Sequence, residues 1–322
     1  MQDSSLPDTG PKVSVLMITY NHEKFVAQAI ESVLMQKTSF PYELVIGEDC
    51  STDGTREIVR EYARRYPNFI RTLLPECNIG MHQNLRQVFL GSRGRYLAIL
   101  EGDDYWTSPE KLQIQADELD AHPETAVCGH RAVWHYEDGS KPDKIRPEIP
   151  AGFYQLEDLL RANFLITGTV MFRRVIDDVP SWHWSLYMAD LPLFVTLAHY
   201  GNIRLLPQTM GAYRVHAGGF FTRLNDVDEP RHLLAMCKAF YDHLDSKYRP
   251  PIRQRLFTCA YHLGIGAFTA GQPELTRKCL RDCRKSSAAF EHLPQKLLLA
   301  LKGYGWWAFP VWRGLRRLWR TG

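Results

Sequence analysis

The chain has 322 residues, 45% hydrophobic and 23% charged, the balance of a globular protein long enough to bury a full core in one large domain or two smaller ones. A net charge of +3 does not call for nucleic acid, and the main body has no aromatic-basic stripe of the kind that binds single strands, so no nucleic-acid partner is expected. Seven scattered cysteines form neither a disulfide framework nor a CxxC metal pair, which favours a reducing cytosol.

Residues 1–11 are polar and turn-rich, without the apolar run of a secretory signal, and are expected to be a disordered tail. Residues 13–18 form an apolar run expected to be a buried strand. Beyond Thr19-Tyr20-Asn21-His22, apolar residues at Val26, Ala29, Ile30, Val33 and Leu34 share one helical face. A second strand is predicted at 43–47, followed by a Ser-, Thr-, Asp- and Gly-rich turn from Asp49 to Thr55 and a helix using Ile58, Val59, Tyr62 and Tyr66. A strand at 69–74, a helix at 81–90 and a strand at 96–100 continue the alternation. This rhythm implies right-handed βαβ units and a mostly parallel sheet.

The fourth strand runs into Glu101-Gly102-Asp103-Asp104-Tyr105-Trp106, three carboxylates at its carboxyl end, where open α/β sheets bind ligands. Acids this close repel unless a cation joins them or one stays protonated. Oxygen ligands without nearby cysteine or histidine favour Mg2+ or Mn2+.

Further on the alternation loosens. Helices are expected at 111–119 and 187–200, strands at 126–134, 164–172, 203–206 and 211–215, and a polar loop at 135–151. From Glu229 the pattern is helical, with residues 261–273 and beyond resembling one helical hairpin of tetratricopeptide type. The last apolar stretch, 297–312, is too short and too interrupted to span a bilayer, which takes roughly 20 apolar residues. From here to the end, Tyr304, Trp306, Trp307, Trp312 and Trp319 are interspersed with Lys302, Arg313, Arg316, Arg317 and Arg320, a composition suited to lying on an anionic membrane surface.

The first strand-to-helix turn lacks GxGxxG, and neither GxxxxGK[ST] nor GxSxG occurs, which argues against a dinucleotide oxidoreductase, a P-loop protein and an α/β-hydrolase. A nucleotidyltransferase would need a Gly- and Arg-rich loop after the first strand, and residues 19–25 offer none. A non-catalytic nucleotide-sugar or glycan-binding module and a membrane-tethered scaffold are further alternatives.

Together, residues 13–21, the run from Glu48 to Thr55, Asn78-Ile79-Gly80, the segment from Glu101 to Trp106, Asp190-Leu191-Pro192-Leu193 and Tyr213-Arg214-Val215-His216 resemble the family 2 glycosyltransferases. The resemblance covers the first two-thirds of the chain and implies a GT-A fold at 12–228, with 229–322 as a helical extension ending in the basic aromatic tail. It implies transfer of a sugar from a nucleotide-diphospho-sugar, UDP-sugar first, to a hydroxyl of a glycan or lipid-linked acceptor, with inversion. Surface polysaccharide synthesis at the cytoplasmic face of the membrane would be the setting.

The same resemblance implies roles. Thr19, Tyr20 and Asn21 would meet the nucleoside, with Tyr20 able to stack on a base, while Asn21 could equally cap the next helix. Asp49 would read the base through an imide N–H; Asp53 reads as a helix cap. Glu101-Gly102-Asp103 stands where the family has D-x-D. Asp103 would hold the metal, Mn2+ or Mg2+, and the longer Glu101 would reach a ribose or the metal's water. Asp190 would be the general base, and Thr169, in the Thr167-Gly168-Thr169 loop, would line the sugar pocket. His216 would meet the metal or the diphosphate, and Arg214 would pair with phosphate oxygens.

Overall fold

The computed structural model describes residues 10–220 and 222–285. The basic aromatic tail and all but the last two residues of the expected N-terminal tail lie outside them.

The predicted alternation is present. β1 (Val13–Thr19), α1 (Val26–Leu34), β2 (Tyr42–Glu48), α2 (Thr55–Arg65), β3 (Ile70–Leu73), α3 (Met81–Gly91) and β4 (Tyr96–Glu101) follow in turn. β1 pairs in parallel with β2 on one side and β4 on the other, and β2 pairs in parallel with β3. Side chains of β1 and β4 alternate between two apolar layers, as the two-residue strand period requires. Leu16, Leu97 and Ile99 join Leu85 and Phe89 of α3 on one face. Val15, Met17, Ala98 and Leu100 join Val26, Ile30 and Val59 of α1 and α2 on the other. Both faces are therefore covered, and the near-continuous apolar strands follow from that.

The second half of the sheet is mixed. After β5 (Tyr105–Trp106) and α4 (Lys111–Ala121) come β6 (Thr125–Tyr136), β7 (Lys144–Arg146), β8 (Gly152–Tyr154) and α5 (Leu156–Arg161). β9 (Met171–Arg173), α6 (Asp190–Leu197) and β10 (Asn202–Val215) complete the sheet region, in the order β3-β2-β1-β4-β9-β6-β10-β5. β9 runs antiparallel between β4 and β6, while β10 is parallel to β6 and antiparallel to β5.

Four expectations shift here. The loop expected at 135–151 contains β7, which pairs with β6. The two short strands expected at 203–206 and 211–215 are one strand, β10, with register shifts between Leu205 and Gly211. Pro207 lies inside that irregular stretch and has no N–H to give a regular ladder. The strand expected at 164–172 is mostly a turn, with a single 3-10 turn at Thr167–Thr169 before β9. Trp106 Nε1 donates to Gly168 O at 2.7 Å and helps hold that turn. The helix expected at 187–200 begins only at Asp190 and ends at Leu197.

α7 (Asp228–His243), α8 (Arg249–Thr269) and α9 (Pro273–Lys285) follow. Met236, Phe240 and Ile252 belong to the same buried layer as the sheet, so this helical region shares the core of the α/β part. α8 and α9 form the expected hairpin around Gly271, whose φ of +71° suits a residue without Cβ. Among the described residues no helix is long and apolar enough to cross a membrane.

Candidate active site

Strand register brings the separate motifs together. Thr19 lies level with Glu48, and Ile18 level with Glu101, so the ends of β2, β1 and β4 open onto one rim. Two loops leave that rim through residues in the left-handed region, Asn21 and Cys50, both at φ +57°. Asn21 Oδ1 accepts from Thr52 N at 2.9 Å and so ties the first loop to the second; it does not cap α1. Asp53 Oδ1 accepts from Thr55 N at 3.0 Å just ahead of α2, but the N-cap position is Gly54, so Asp53 is not the cap expected of it. Tyr20 is exposed on the rim, and Thr19 is buried beneath it.

Asp49 is buried, and its carboxylate fastens the Asn78-Ile79-Gly80 turn. Oδ1 accepts from Ile79 N at 2.8 Å and Oδ2 from Gly80 N at 2.9 Å. Burial pushes this carboxyl up from its ordinary range while the two N–H groups pull against it. Glu48, fully buried, accepts from Ser51 N and pairs with Arg56.

The acidic segment turns at Gly102. A Cβ there would sit 2.4 Å from Thr19 Oγ1 and 3.1 Å from His22 Nδ1, so only glycine lets the two strand ends approach. Asp103 Oδ2 faces two imidazoles: His216 Nε2 at 3.1 Å and His22 Nε2 at 3.6 Å. Burial pushes the Asp103 carboxyl up, but the His216 hydrogen bond and the charge of His22 outweigh it and hold it below the usual value. His22 Nδ1 lies 3.2 Å from Thr19 Oγ1, which fixes that ring, and the His216 ring packs on Phe25 with centroids 4.6 Å apart.

The neighbouring carboxyls go the other way. Glu101 is pushed well above its ordinary value by burial and by the charges of Asp103, Asp104 and Asp190. Asp104 is likewise pushed up by burial and by Asp103. One oxygen of Asp104 accepts from Arg214 N at 2.8 Å; the other is buried with no hydrogen-bond partner among the described residues.

Arg214 is almost fully buried and works inside the protein. Nε donates to Asp103 O at 2.8 Å, and the two terminal nitrogens bind Glu137 and Gln28, each at 2.6 Å. Its guanidinium lies between Phe25 and Tyr105, 4.7 and 4.9 Å from the ring centres. Arg214 thus braces the loop that carries Asp103.

Asp190 opens α6. Its Oδ2 accepts from Thr167 Oγ1 at 2.9 Å and its Oδ1 from Leu191 N at 2.7 Å. Glu101, Asp103, Thr167, Asp190 and Arg214 line one cleft of ≈ 730 Å³, its open mouth included. Thr169 is turned away: it is buried, and its hydroxyl donates to Ile166 O at 2.7 Å. Thr167 occupies the lining position instead. Thr167 belongs to the loop expected to line the pocket, whereas nothing in the sequence assigns a role to His22. His22 immediately follows Thr19-Tyr20-Asn21, and its place beside Asp103 depends on β1 and β4 being neighbours.

No group of three or more His, Cys, Asp or Glu side chains among the described residues is arranged to hold a metal unaided. One carboxylate and one imidazole meet at Asp103 and His216, beside further acids that burial leaves short of countercharge. That donor set fits an ion that takes most of its ligands from a bound diphosphate, the usual manner for Mg2+ at phosphate sites.

A rim of acids and loops at the carboxyl ends of parallel strands is where open α/β folds place their ligands. The chain belongs to glycosyl transferase family 2, whose model matches residues 14–179. An uncharacterized protein of Mycobacterium tuberculosis is 42% identical over 211 residues, covering 65% of this chain and 60% of that protein. The chain thus matches less than two-thirds of the length of these mycobacterial relatives. EpsE of Bacillus subtilis, which carries a glycosyltransferase name, is 34% identical over 198 residues, 60% of this chain and 69% of its own. Among solved structures, the mannosyltransferase PcManGT from Pyrobaculum calidifontis, in complex with GDP-Man and Mn2+, superposes with a TM-score of 0.57. Its sequence identity is 17%, with 96% of this chain and 85% of that one covered. S. aureus TarS in complex with UDP-GlcNAc gives a TM-score of 0.54 at 17% identity, over 87% of this chain and 91% of that one. The fold is GT-A.

Proposed function

We propose that the chain transfers a sugar from a nucleotide-diphospho-sugar, UDP-sugar first, to a hydroxyl of a glycan or lipid-linked acceptor, with inversion at the anomeric carbon. The observation that carries this reading is the shared cleft: Asp103, beside His216, and Asp190, fixed by Thr167, line one cavity. The solved relatives bound to UDP-GlcNAc and to GDP-Man with Mn2+ support a nucleotide-sugar donor and a divalent ion.

Asp190 takes the proton of the acceptor hydroxyl as that oxygen attacks the anomeric carbon and the bond from sugar to diphosphate breaks. Thr167 Oγ1 and Leu191 N hold the carboxylate in place for this. Asp103 and His216 would hold Mn2+ or Mg2+, which when bound offsets charge on the departing nucleoside diphosphate. Arg214 uses three of its five N–H groups on Asp103 O, Glu137 and Gln28 and still lines the cleft, where it would pair with phosphate oxygens. Tyr20, exposed at the rim, is available to stack on the base, with Thr19, Asn21 and Asp49 shaping the loops beneath it.

The aromatic-basic tail is proposed to rest on the anionic inner face of the cell membrane, where a lipid-linked acceptor would be presented. The test of the catalytic reading is Asp190→Asn. It should abolish sugar transfer while leaving donor binding, measured by calorimetry, near wild type. Undiminished turnover would remove Asp190 as the base.

A further inference from the structure

The cleft that holds Asp190 is not lined by acids alone: Met81, Met188 and Phe220 share it. Phe220 is 41% exposed, and it is not a loose side chain. Its ring stacks on Tyr187 with centroids 4.4 Å apart and planes inclined by 27°. Tyr187 in turn stacks on His232, centroids 3.8 Å apart and planes inclined by 13°. Three separate segments supply this ladder. Phe220 comes from the loop after β10, Tyr187 stands three residues before Asp190, and His232 lies in α7. Rings stacked in series have little freedom to rotate, so the cleft-lining ring is held in advance of any ligand.

We infer that the Phe220–Tyr187–His232 ladder is an acceptor subsite, a platform for the C–H face of the pyranose whose hydroxyl is presented to Asp190. This rests on the transfer reading and extends it to the acceptor. The axial C–H bonds of a pyranose carry partial positive charge, and the face of an aromatic ring carries partial negative charge. The hydroxyls around the sugar's edge then remain free to meet the carboxylates that line the same cleft. Tyr187 reaches Asp190 through only Met188 and Ala189, so platform and base are set by one short segment.

The test uses the full chain with Mn2+ and a panel of UDP, dTDP and GDP, followed by saturation-transfer NMR with methyl glycosides of glucose, galactose, N-acetylglucosamine, mannose and rhamnose. For at least one glycoside, saturation should fall on the protons of one C–H face. Phe220→Ala should weaken that binding by about three- to tenfold, the scale of one aromatic contact. Phe220→Trp should retain it, and Tyr187→Ala, which leaves Phe220 unbacked, should weaken it. Nucleotide affinity should be the same in all four proteins. If a nucleotide binds but no glycoside contacts a C–H face, or if Phe220→Ala binds glycosides as wild type does, the subsite assignment is wrong. If no nucleotide binds the wild type, the transfer reading itself falls, and the acceptor subsite falls with it.

Discussion

Thr167 Oγ1 donates a 2.9 Å hydrogen bond to Asp190 Oδ2, joining the 3-10 turn that interrupts the expected strand to the first residue of α6. If Asp190 is the base, this bond sets the direction in which it presents its free lone pairs. Thr167→Val keeps the shape and removes the donor. Turnover should fall by about tenfold or more, the scale of a hydrogen bond to a charged group, while donor affinity stays put. A change in donor affinity with turnover intact would assign Thr167 to the nucleotide instead.

Gly102 follows β4 where the backbone runs close against Thr19 at the end of β1. Gly102→Ala must push Thr19 or the acidic segment aside, because its Cβ would lie 2.4 Å from Thr19 Oγ1 and 2.6 Å from Thr19 Cβ. Overpacking of this kind costs about 1–3 kcal/mol, and it displaces Asp103 from His216 and His22. Urea unfolding and nucleotide binding should both weaken. Gly152→Ala on β8 is the control, since nothing lies within 4 Å of its Cβ position; its stability should stay near wild type.

Two buried histidines set an acid limit on stability. His130 and His183 are fully buried, and desolvation, the main cause, brings each down to about 3. The unfolded chain takes up those protons near pH 6.5, so between about 3 and 6.5 it binds more protons than the folded chain. Stability therefore rises with pH across that window and falls on acidification, by up to about 1.4 kcal/mol per pH unit for each histidine. Denaturation at pH 7 and pH 5 should show a smaller acid loss in His130→Gln and in His183→Gln than in wild type. An unchanged loss in both variants would locate the acid sensitivity elsewhere.

The first half of the fold was legible because each element there is declared locally. Strand 96–100 is an unbroken apolar run and 13–18 is one interrupted only by Ser14, and the intervening helices show one apolar face. The second half was less so, for identifiable reasons. The run 164–172 is apolar enough for a strand, yet Thr167 and Gly168 are held in a turn by Asp190 and Trp106, contacts more than 20 residues away in sequence. Pro207 divides β10 on paper, while a bulge absorbs it in the sheet. Within the site, the carboxylates stood out by charge and position. His22 did not, since its significance comes from strand order, and Thr167 was visible only as part of its loop, its bond to Asp190 being a tertiary contact. The hydrogen bonds by which Arg214 braces Asp103, Glu137 and Gln28 were likewise not visible from its neighbours in sequence.

The membrane proposal rests on residues 303–322, which are rich in tryptophan and arginine and lie outside the described structure. Removing them should abolish sedimentation with vesicles containing phosphatidylglycerol and leave sugar transfer to a soluble acceptor intact. Equal sedimentation of the shortened protein would refute the interfacial role.

The most direct test of the whole account is thermal unfolding with UDP-, dTDP- and GDP-sugars, with and without Mn2+, on the wild type and on Asp103→Asn. Binding to the folded state alone raises the unfolding temperature. At least one sugar nucleotide should stabilise the wild type, more so with Mn2+, and that increment should vanish in Asp103→Asn. Contradiction would be the absence of metal-dependent stabilisation by every sugar nucleotide, or its persistence at full size without the Asp103 carboxylate.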